Sequence, residues 1–275
     1  MASARVTTIQ PAHPFFDLDL HSLYEFRELL GFLIWRDVKV RYRQTVVGVA
    51  WFALQPILAT LIFSIVFGRL AGLPSEGVPY PVFAYTGVLV WHFFAQAVSR
   101  GVNSMVAERN LIAKVYFPRL LLPLGVLLAG VVDLAVGFVI LAAMLAWYGV
   151  APTGAILLAP LFVILALTTA LAMVSWLAPL NVRYRDVSHT MPFLLQIWMF
   201  ASPVAYSVEL IPAQWRWVYG LNPVAGIVEG FRWACLGTTP PSASLIGASV
   251  AGVLILLAAG VIFFHRMERT FADSI

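Results

Sequence analysis

Ionisable side chains inside long apolar runs are the first places to look for chemistry in this sequence. Asp133 is the only acid within an apolar run of membrane-spanning length, and such a group often marks a functional site. No intramembrane basic partner is evident for it, which argues against a proton relay. We therefore expect Asp133 to be neutral or hydrogen-bonded to a neighbouring helix. His92, Gln96, Gln55 and Gln196 are likewise expected to hydrogen-bond between helices.

A second charged pair lies in an aromatic segment near the carboxyl end. Glu229 and Arg232 are three residues apart, so on a helix their side chains share one face. We expect a local salt bridge, and a role in gating or substrate contact is the alternative.

Motifs for catalysis are missing from the chain. A phosphate-binding loop of the Walker A type needs a glycine-lysine pair, but the two lysines, Lys39 and Lys114, follow Val38 and Ala113. There is no G-x-S-x-G, H-E-x-x-H or paired-cysteine motif, and the single Cys235 predicts neither an internal disulfide nor a zinc site. We expect no bound cofactor and no catalysis, so any energy must come from another subunit.

Composition indicates that these residues sit in a membrane. Hydrophobic residues make up 61% of the 275 and charged residues only 11%, against about 25% charged in soluble domains. The acids among the first forty residues argue against a cleaved signal peptide. Residues 1–22 are therefore expected to be a cytoplasmic extension.

Six uncharged or nearly uncharged runs approach the roughly 20 residues that a membrane-spanning helix requires. They are residues 46–68, 82–99, 120–148, 155–180, 187–208 and 245–264. Six crossings place all but three of the 17 basic residues on one side, which the positive-inside rule makes cytoplasmic. The fold class is thus an all-α integral membrane protein, with a six-helix domain over 44–266 and both termini in the cytoplasm.

Three segments outside the spans carry further information. Residues 23–43 alternate apolar residues with Arg36, Lys39, Arg41 and Arg43, which predicts an amphipathic interfacial helix that anchors to lipid or receives a partner. Residues 106–118 predict a short amphipathic helix whose apolar side chains need a partner protein. Residues 209–241, rich in aromatic residues, predict short helices that dip into one leaflet and return. Residues 267–275 form a cytoplasmic tail.

Several stretches together resemble a known family, the permease subunits of type-2 ABC transporters that export polysaccharides. The resemblance covers nearly the whole chain and is closest to the O-antigen, or lipopolysaccharide, exporters. The stretches are Trp35-Arg-Asp-Val-Lys-Val-Arg-Tyr-Arg-Gln-Thr-Val-Val-Gly-Val-Ala-Trp51 with Gln55-Pro56, Tyr116-Phe-Pro-Arg119, Asn181-Val-Arg-Tyr-Arg-Asp186, and Asn222-Pro223 with Glu229-Gly-Phe-Arg232.

The resemblance implies a homodimer of this subunit with two copies of an ABC ATPase, which bind ATP and Mg. A lipid-linked glycan would cross the bacterial inner membrane through a channel between the two copies. ATPase coupling would fall on Glu108, Arg109, Asn110, Leu111, Lys114 and Tyr116. Channel-lining candidates are Tyr85, Trp91, Phe94, Trp198 and Tyr206, and the outer gate would include Trp215, Glu229 and Arg232.

Other functions stay open at this point. Within transport, the cargo is alternatively a capsular polysaccharide, a teichoic acid or a small hydrophobic compound. An intramembrane transferase acting on lipid-linked sugars is a second class, and it would need several ionisable residues clustered at one depth.

Overall fold

The computed structural model describes residues 24–43 and 48–268. The predicted extension 1–22 and residues 269–275 of the predicted tail lie outside these ranges. The described residues form helices and turns without a strand, as the all-α prediction requires. Ten α-helices follow in chain order within them: α1 Arg27–Arg43, α2 Gly48–Phe63, α3 Tyr80–Ala107, α4 Arg109–Lys114, α5 Leu121–Tyr148, α6 Ala159–Arg183, α7 Asp186–Phe200, α8 Arg216–Tyr219, α9 Pro223–Leu236 and α10 Ala243–Glu268.

Five helical stretches of the described chain are long and apolar enough to cross a membrane. They are Ala53–Leu70, in which α2 continues as a π-helical turn, then Tyr80–Ala107, Leu121–Tyr148, Gly154–Arg183 and Ala243–Glu268. Each overlaps a predicted span. The chain is therefore an integral membrane protein by the length and composition of its helices.

The second of these helices extends beyond its predicted end. The prediction stopped at Ser99 because Arg100 follows, yet α3 continues for two more turns to Ala107. Arg100 turns inward to Asp133, and Asn103 meets the side chain of Asn181. Polar residues at this end of α3 have partners inside the protein, so they do not end the helix.

The segment predicted as the fifth span is shorter than expected. α7 ends at Phe200 after 15 residues, which corresponds to about 22 Å of helix against a hydrocarbon thickness of about 30 Å. Residues 201–207 turn instead, at Pro203. The carbonyl oxygens of Pro203 and Val204 are freed by this turn and accept hydrogen bonds from Arg232.

The helix α3 is the centre of the bundle. In the most apolar 18-residue stretch of α3, 78% is buried, whereas the corresponding share in the other four candidate spans is 17–33%. It packs against α2, α5, α6, α7 and α9. The 209–241 segment contains short helices, of which α9 inserts between α3, α6 and α10, and their re-entrant path in one leaflet stays a prediction. Gly230 allows this close approach, since a Cβ there would lie 1.9 Å from the Phe162 ring.

Candidate functional site

The segment after α3 presents a protruding surface. α4 begins directly after Glu108, and Arg109, Asn110, Lys114 and Tyr116 of the predicted coupling set are exposed. Tyr116 is 92% exposed. Because these side chains have little cover from their own chain, they form a surface suited to a partner protein.

Part of the apolar surface predicted for a partner is instead covered by the chain itself, while Val115 and Tyr116 stay exposed. Phe117 is buried with Leu33, Leu121 and Leu122, and Leu111 packs on the same cluster. The cover comes from α1, more than 70 residues earlier in the chain, and sequence patterns do not reveal such a contact. The exposed coupling surface therefore consists mainly of Arg109, Asn110, Lys114, Val115 and Tyr116.

The four basic residues of the interfacial helix divide into two pairs. Lys39 and Arg43 are exposed. Arg36 donates to Asp37 at 3.0 Å and to Glu108 at 2.6 Å, which joins α1 to the start of the coupling segment. Arg41 points to Asp133. Tyr24, just before α1, and Phe32 and Trp35 on α1 are exposed. That α1 lies in the membrane interface stays a prediction.

Asp133 has basic partners, which corrects the expectation drawn from the apolar runs. Its Oδ2 atom accepts from Arg41 and, at 3.1 Å, from Arg100 of α3, and its Oδ1 atom accepts from the Tyr42 hydroxyl at 2.5 Å. Burial raises the pKa of Tyr42, and the hydrogen bond to Asp133 raises it further, so the phenol stays protonated as a donor. Sequence analysis missed this cluster because Arg41 and Arg100 lie at predicted helix ends, where charge is ordinary.

A polar cleft opens beside this cluster. It has a volume of about 550 Å³ between α1, α3 and α5, and its charged lining includes Arg36, Asp37, Arg41, Arg100 and Glu108. A separate, smaller cavity of about 30 Å³ is lined by Asp133, His92 and Gln96, and it shares Arg100 with the cleft. Ionisable groups thus line both the cleft and this smaller cavity.

The predicted pair in the aromatic segment is confirmed. Arg232 Nη1 lies 3.0 Å from Glu229 Oε1, and Arg232 is fully buried. Its Nη2 atom donates to the carbonyl oxygens of Pro203 and Val204 at 2.8 and 3.0 Å, while its guanidinium stacks on the Phe83 ring at 3.8 Å. The backbone N–H of Val208 donates to Glu229 Oε1 at 3.0 Å. The pair therefore holds α9 to the turn that follows α7; Trp215, also predicted at the gate, is exposed.

The channel candidates form two aromatic groups. Trp91, Phe94 and Trp198 pack edge to face or tilted, with ring centroids 5.3–6.2 Å apart. Tyr206 shares a 2.6 Å hydrogen bond with Tyr219.

Exposure differs among these candidates. Tyr85, Trp91 and Phe94 are buried within the subunit, and Tyr85 donates to the Gly137 carbonyl at 3.1 Å, whereas Trp198 and Tyr206 are partly exposed. Channel lining stays a prediction, and in this conformation Trp198 and Tyr206 are the two candidates with surface to offer a cargo.

Two asparagines of the motifs that carry the family resemblance form hydrogen bonds with backbone groups. The Asn181 amide donates to the Val102 carbonyl at 3.1 Å, and its oxygen accepts from the Ser188 N–H at 3.0 Å. Asn222 caps α9 at its amino end, directly before Pro223. Asn at an N-cap followed by Pro is a readable helix-start signal, so this role was available from the sequence.

The five apolar helices and the buried ion pairs define a helical integral membrane protein. Residues 28–236 match the family described as ABC-2 type transporter. The chain belongs to that family, and the resemblance seen in the sequence is confirmed.

The chain is similar to several transport proteins. The chain is 31% identical to the O-antigen export system permease protein RfbA of Myxococcus xanthus, over 93% of this chain and 98% of that protein. It is 24% identical to the Klebsiella pneumoniae protein of the same name, over 90% and 94%. The polysialic acid transport protein KpsM of Escherichia coli is 22% identical, over 88% and 94%.

Proposed function

We propose that this chain is the channel-forming, non-catalytic subunit of an ATP-driven exporter that moves a lipid-linked polysaccharide, O-antigen in the first instance, across the bacterial inner membrane. The observation that carries the proposal is the end-to-end likeness to the Myxococcus xanthus O-antigen export permease. The family match and the exposed coupling surface support the same function.

The partner in this proposal is an ABC ATPase that binds ATP and Mg, present in two copies around a permease homodimer. Arg109, Lys114 and Tyr116 would contact it, because they are exposed on α4 and directly after it. The partly exposed Trp198 and Tyr206 would offer ring faces to sugars along the channel.

The proposal includes six crossings with both termini in the cytoplasm. α7 and the turn at residues 201–207 would together make the crossing that the five long helices leave open, the fifth in chain order. The turn would be buried under α9. Irregular backbone at membrane depth is tolerated where protein satisfies its polar groups, and Arg232 supplies donors for two of its carbonyl oxygens. α8 and α9 would then form the outer gate.

One experiment tests this function. The chain is purified from its native membrane in mild detergent, and the surface polysaccharide of a deletion strain is compared with that of the complemented strain. We expect an equimolar P-loop ATPase to copurify and surface O-antigen to disappear while lipid-linked glycan accumulates inside. The proposal is contradicted if the chain purifies without an ATPase and the deletion strain keeps its surface glycan unchanged.

A capsular glycan is the second candidate cargo, favoured by the likeness to KpsM. In that case the deletion strain loses capsule and keeps O-antigen.

The transferase alternative receives one supporting feature, since Asp133, Arg41 and Arg100 do cluster. Both oxygens of Asp133 are occupied by donors, so this carboxylate is poorly placed to act as a base. The family match favours transport.

A further inference from the structure

Asp133 connects three helices at one point. It belongs to α5, its partners Arg41 and Tyr42 belong to α1, and Arg100 belongs to α3. The Arg41 and Asp133 side chains are only 13% and 12% exposed. One carboxylate therefore balances two guanidinium groups that would otherwise face each other inside the protein.

The contact between α1 and α5 runs in register up to this point. Leu33 lies against Gly125, where an added Cβ would be 3.2 Å from the Leu33 Cβ atom. Eight residues further on each helix, Arg41 meets Asp133. Since eight residues of α-helix span about 12 Å on both sides, the two helices lie side by side over this stretch, and Asp133 closes its inner end.

The other end of this contact reaches the coupling surface. Arg36 binds Glu108, the residue between α3 and α4, at 2.6 Å. Leu29 and Leu30 pack on the cluster of Leu33 and Phe117, which follows α4 in the chain. A displacement of α4 is therefore felt directly by α1.

α1 also leads to the most loosely packed candidate span. α2 begins at Gly48, and only 17% of the Ala53–Leu70 stretch is buried. α2 packs mainly on α3 and α5, with a small contact to α1. α1 and α2 thus both pack on α5, so a displacement of α1 against this helix also bears on the packing of α2.

The structure assigns to Asp133 the role of a positioning residue for transport, an assignment that rests on the proposed export function. Asp133 locks α1 onto α3 and α5, so that a movement imposed on α4 by a partner travels through α1 to α2. The 550 Å³ cleft beside Arg36, Arg41 and Arg100 gives this lock access to water, so its ion pairs can separate without being stranded in an apolar interior.

A labelling experiment tests the lock without reference to cargo. Leu33 is 2% exposed and Glu28 of the same helix is exposed, so Leu33→Cys and Glu28→Cys are made separately in a Cys235→Ala background. The purified protein is then reacted with a water-soluble maleimide. With Asp133 present, Glu28→Cys reacts and Leu33→Cys is protected.

Asp133→Asn should expose the protected site. Arg41 and Arg100 then lose the carboxylate that they share, and we expect Leu33→Cys to react about tenfold faster, since removing one partner of a buried ion pair is strongly destabilising locally. Glu28→Cys should react at an unchanged rate. The double change Asp133→Asn with Arg41→Gln removes one of the like charges and should restore most of the protection. Full protection of Leu33→Cys in Asp133→Asn overturns the lock.

A second readout separates positioning from folding. In the complete transporter, Asp133→Asn should reduce glycan export far more than ATP hydrolysis, and adding Arg41→Gln should recover part of the export. Equal loss of both activities with no recovery means that Asp133 only supports folding. If export is absent in the unmutated transporter while the labelling pattern holds, the proposed cargo is wrong and the lock stands.

Discussion

Arg232 carries more contacts than its sequence position suggested. The sequence predicted only its pairing with Glu229, whereas the guanidinium also serves two carbonyl oxygens and stacks on Phe83. The turn at Pro203 lies more than 25 residues upstream, so neither helical spacing nor motif shape reveals that it is a partner. A residue that the sequence showed only as one half of a salt bridge thus also binds the turn that follows α7.

Arg232→Gln should destabilise the protein strongly. It leaves Glu229 buried without its cation and two carbonyl oxygens without donors, and breaking a buried pair typically costs about 3–5 kcal/mol. Unfolding in detergent, followed by thermal shift, measures the change. Arg69→Gln, at an exposed arginine, is the control and should leave the melting temperature unchanged. An equally small shift for Arg232→Gln would show that the turn does not depend on it.

The short helices α9 and α4 differ in burial, and their roles differ accordingly. α9 is a short helix that is buried on nearly all sides, so its seat depends on small residues. α4 is a short helix with no buried residue, so its role depends on what it exposes.

Gly230→Ala should disrupt the packing of α9 and lower the stability of the protein. The added methyl group would lie 1.9 Å from the Phe162 ring, and overpacking of this kind costs about 1–3 kcal/mol. Gly247→Ala in α10 is the matched control, since nothing lies within 4 Å of its Cβ position. There the gain in helix propensity, up to about 1 kcal/mol, should appear as equal or higher stability. Thermal unfolding of the two variants should shift in opposite directions, and a common shift contradicts the packing argument.

The exposed face of α4 should matter for assembly and not for folding. Changing Arg109, Lys114 and Tyr116 together to Ala removes exposed side chains, so the melting temperature of the isolated chain should move little. Copurification of the ATPase should fall by at least about tenfold, as expected when interface anchors are removed. Phe117→Ala, which opens the buried cluster, is the contrast and should lower stability by about 3 kcal/mol or more. Retention of the ATPase by the triple variant contradicts the coupling assignment.

For the whole molecule, the number of membrane crossings decides on which side of the membrane each exposed surface lies. Between Lys114 and Ser244 lie α5, α6 and the α7 segment. Three crossings place these two residues on opposite sides of the membrane, whereas two crossings place them on the same side. The shortness of α7 is what makes this count a question for experiment.

Lys114→Cys and Ser244→Cys, each in a Cys235→Ala background, should label from opposite sides. Both native residues are exposed. In spheroplasts, a membrane-impermeant maleimide should react with Ser244→Cys at once and with Lys114→Cys only after permeabilisation. Labelling of both sites, or of neither, in intact spheroplasts contradicts the six-crossing topology.

The sequence by itself determined the class of protein. Low charge and long apolar runs require a membrane as solvent, and five of the predicted spans are helices, although α3 runs two turns past its predicted end. The Glu229–Arg232 pair and the exposed polar residues of α4 were also readable, because they depend on neighbours three or four residues apart. These features are local in the chain, and local periodicity encodes them.

Only the tertiary structure decided which distant groups meet. It brought Arg41 and Arg100 to Asp133, covered Phe117 with α1, and joined Arg232 to the turn after α7. In each case the partners lie between 28 and 92 residues apart. Residue type determines that a buried polar or charged group needs a partner. Which residue becomes that partner depends on how the helices pack.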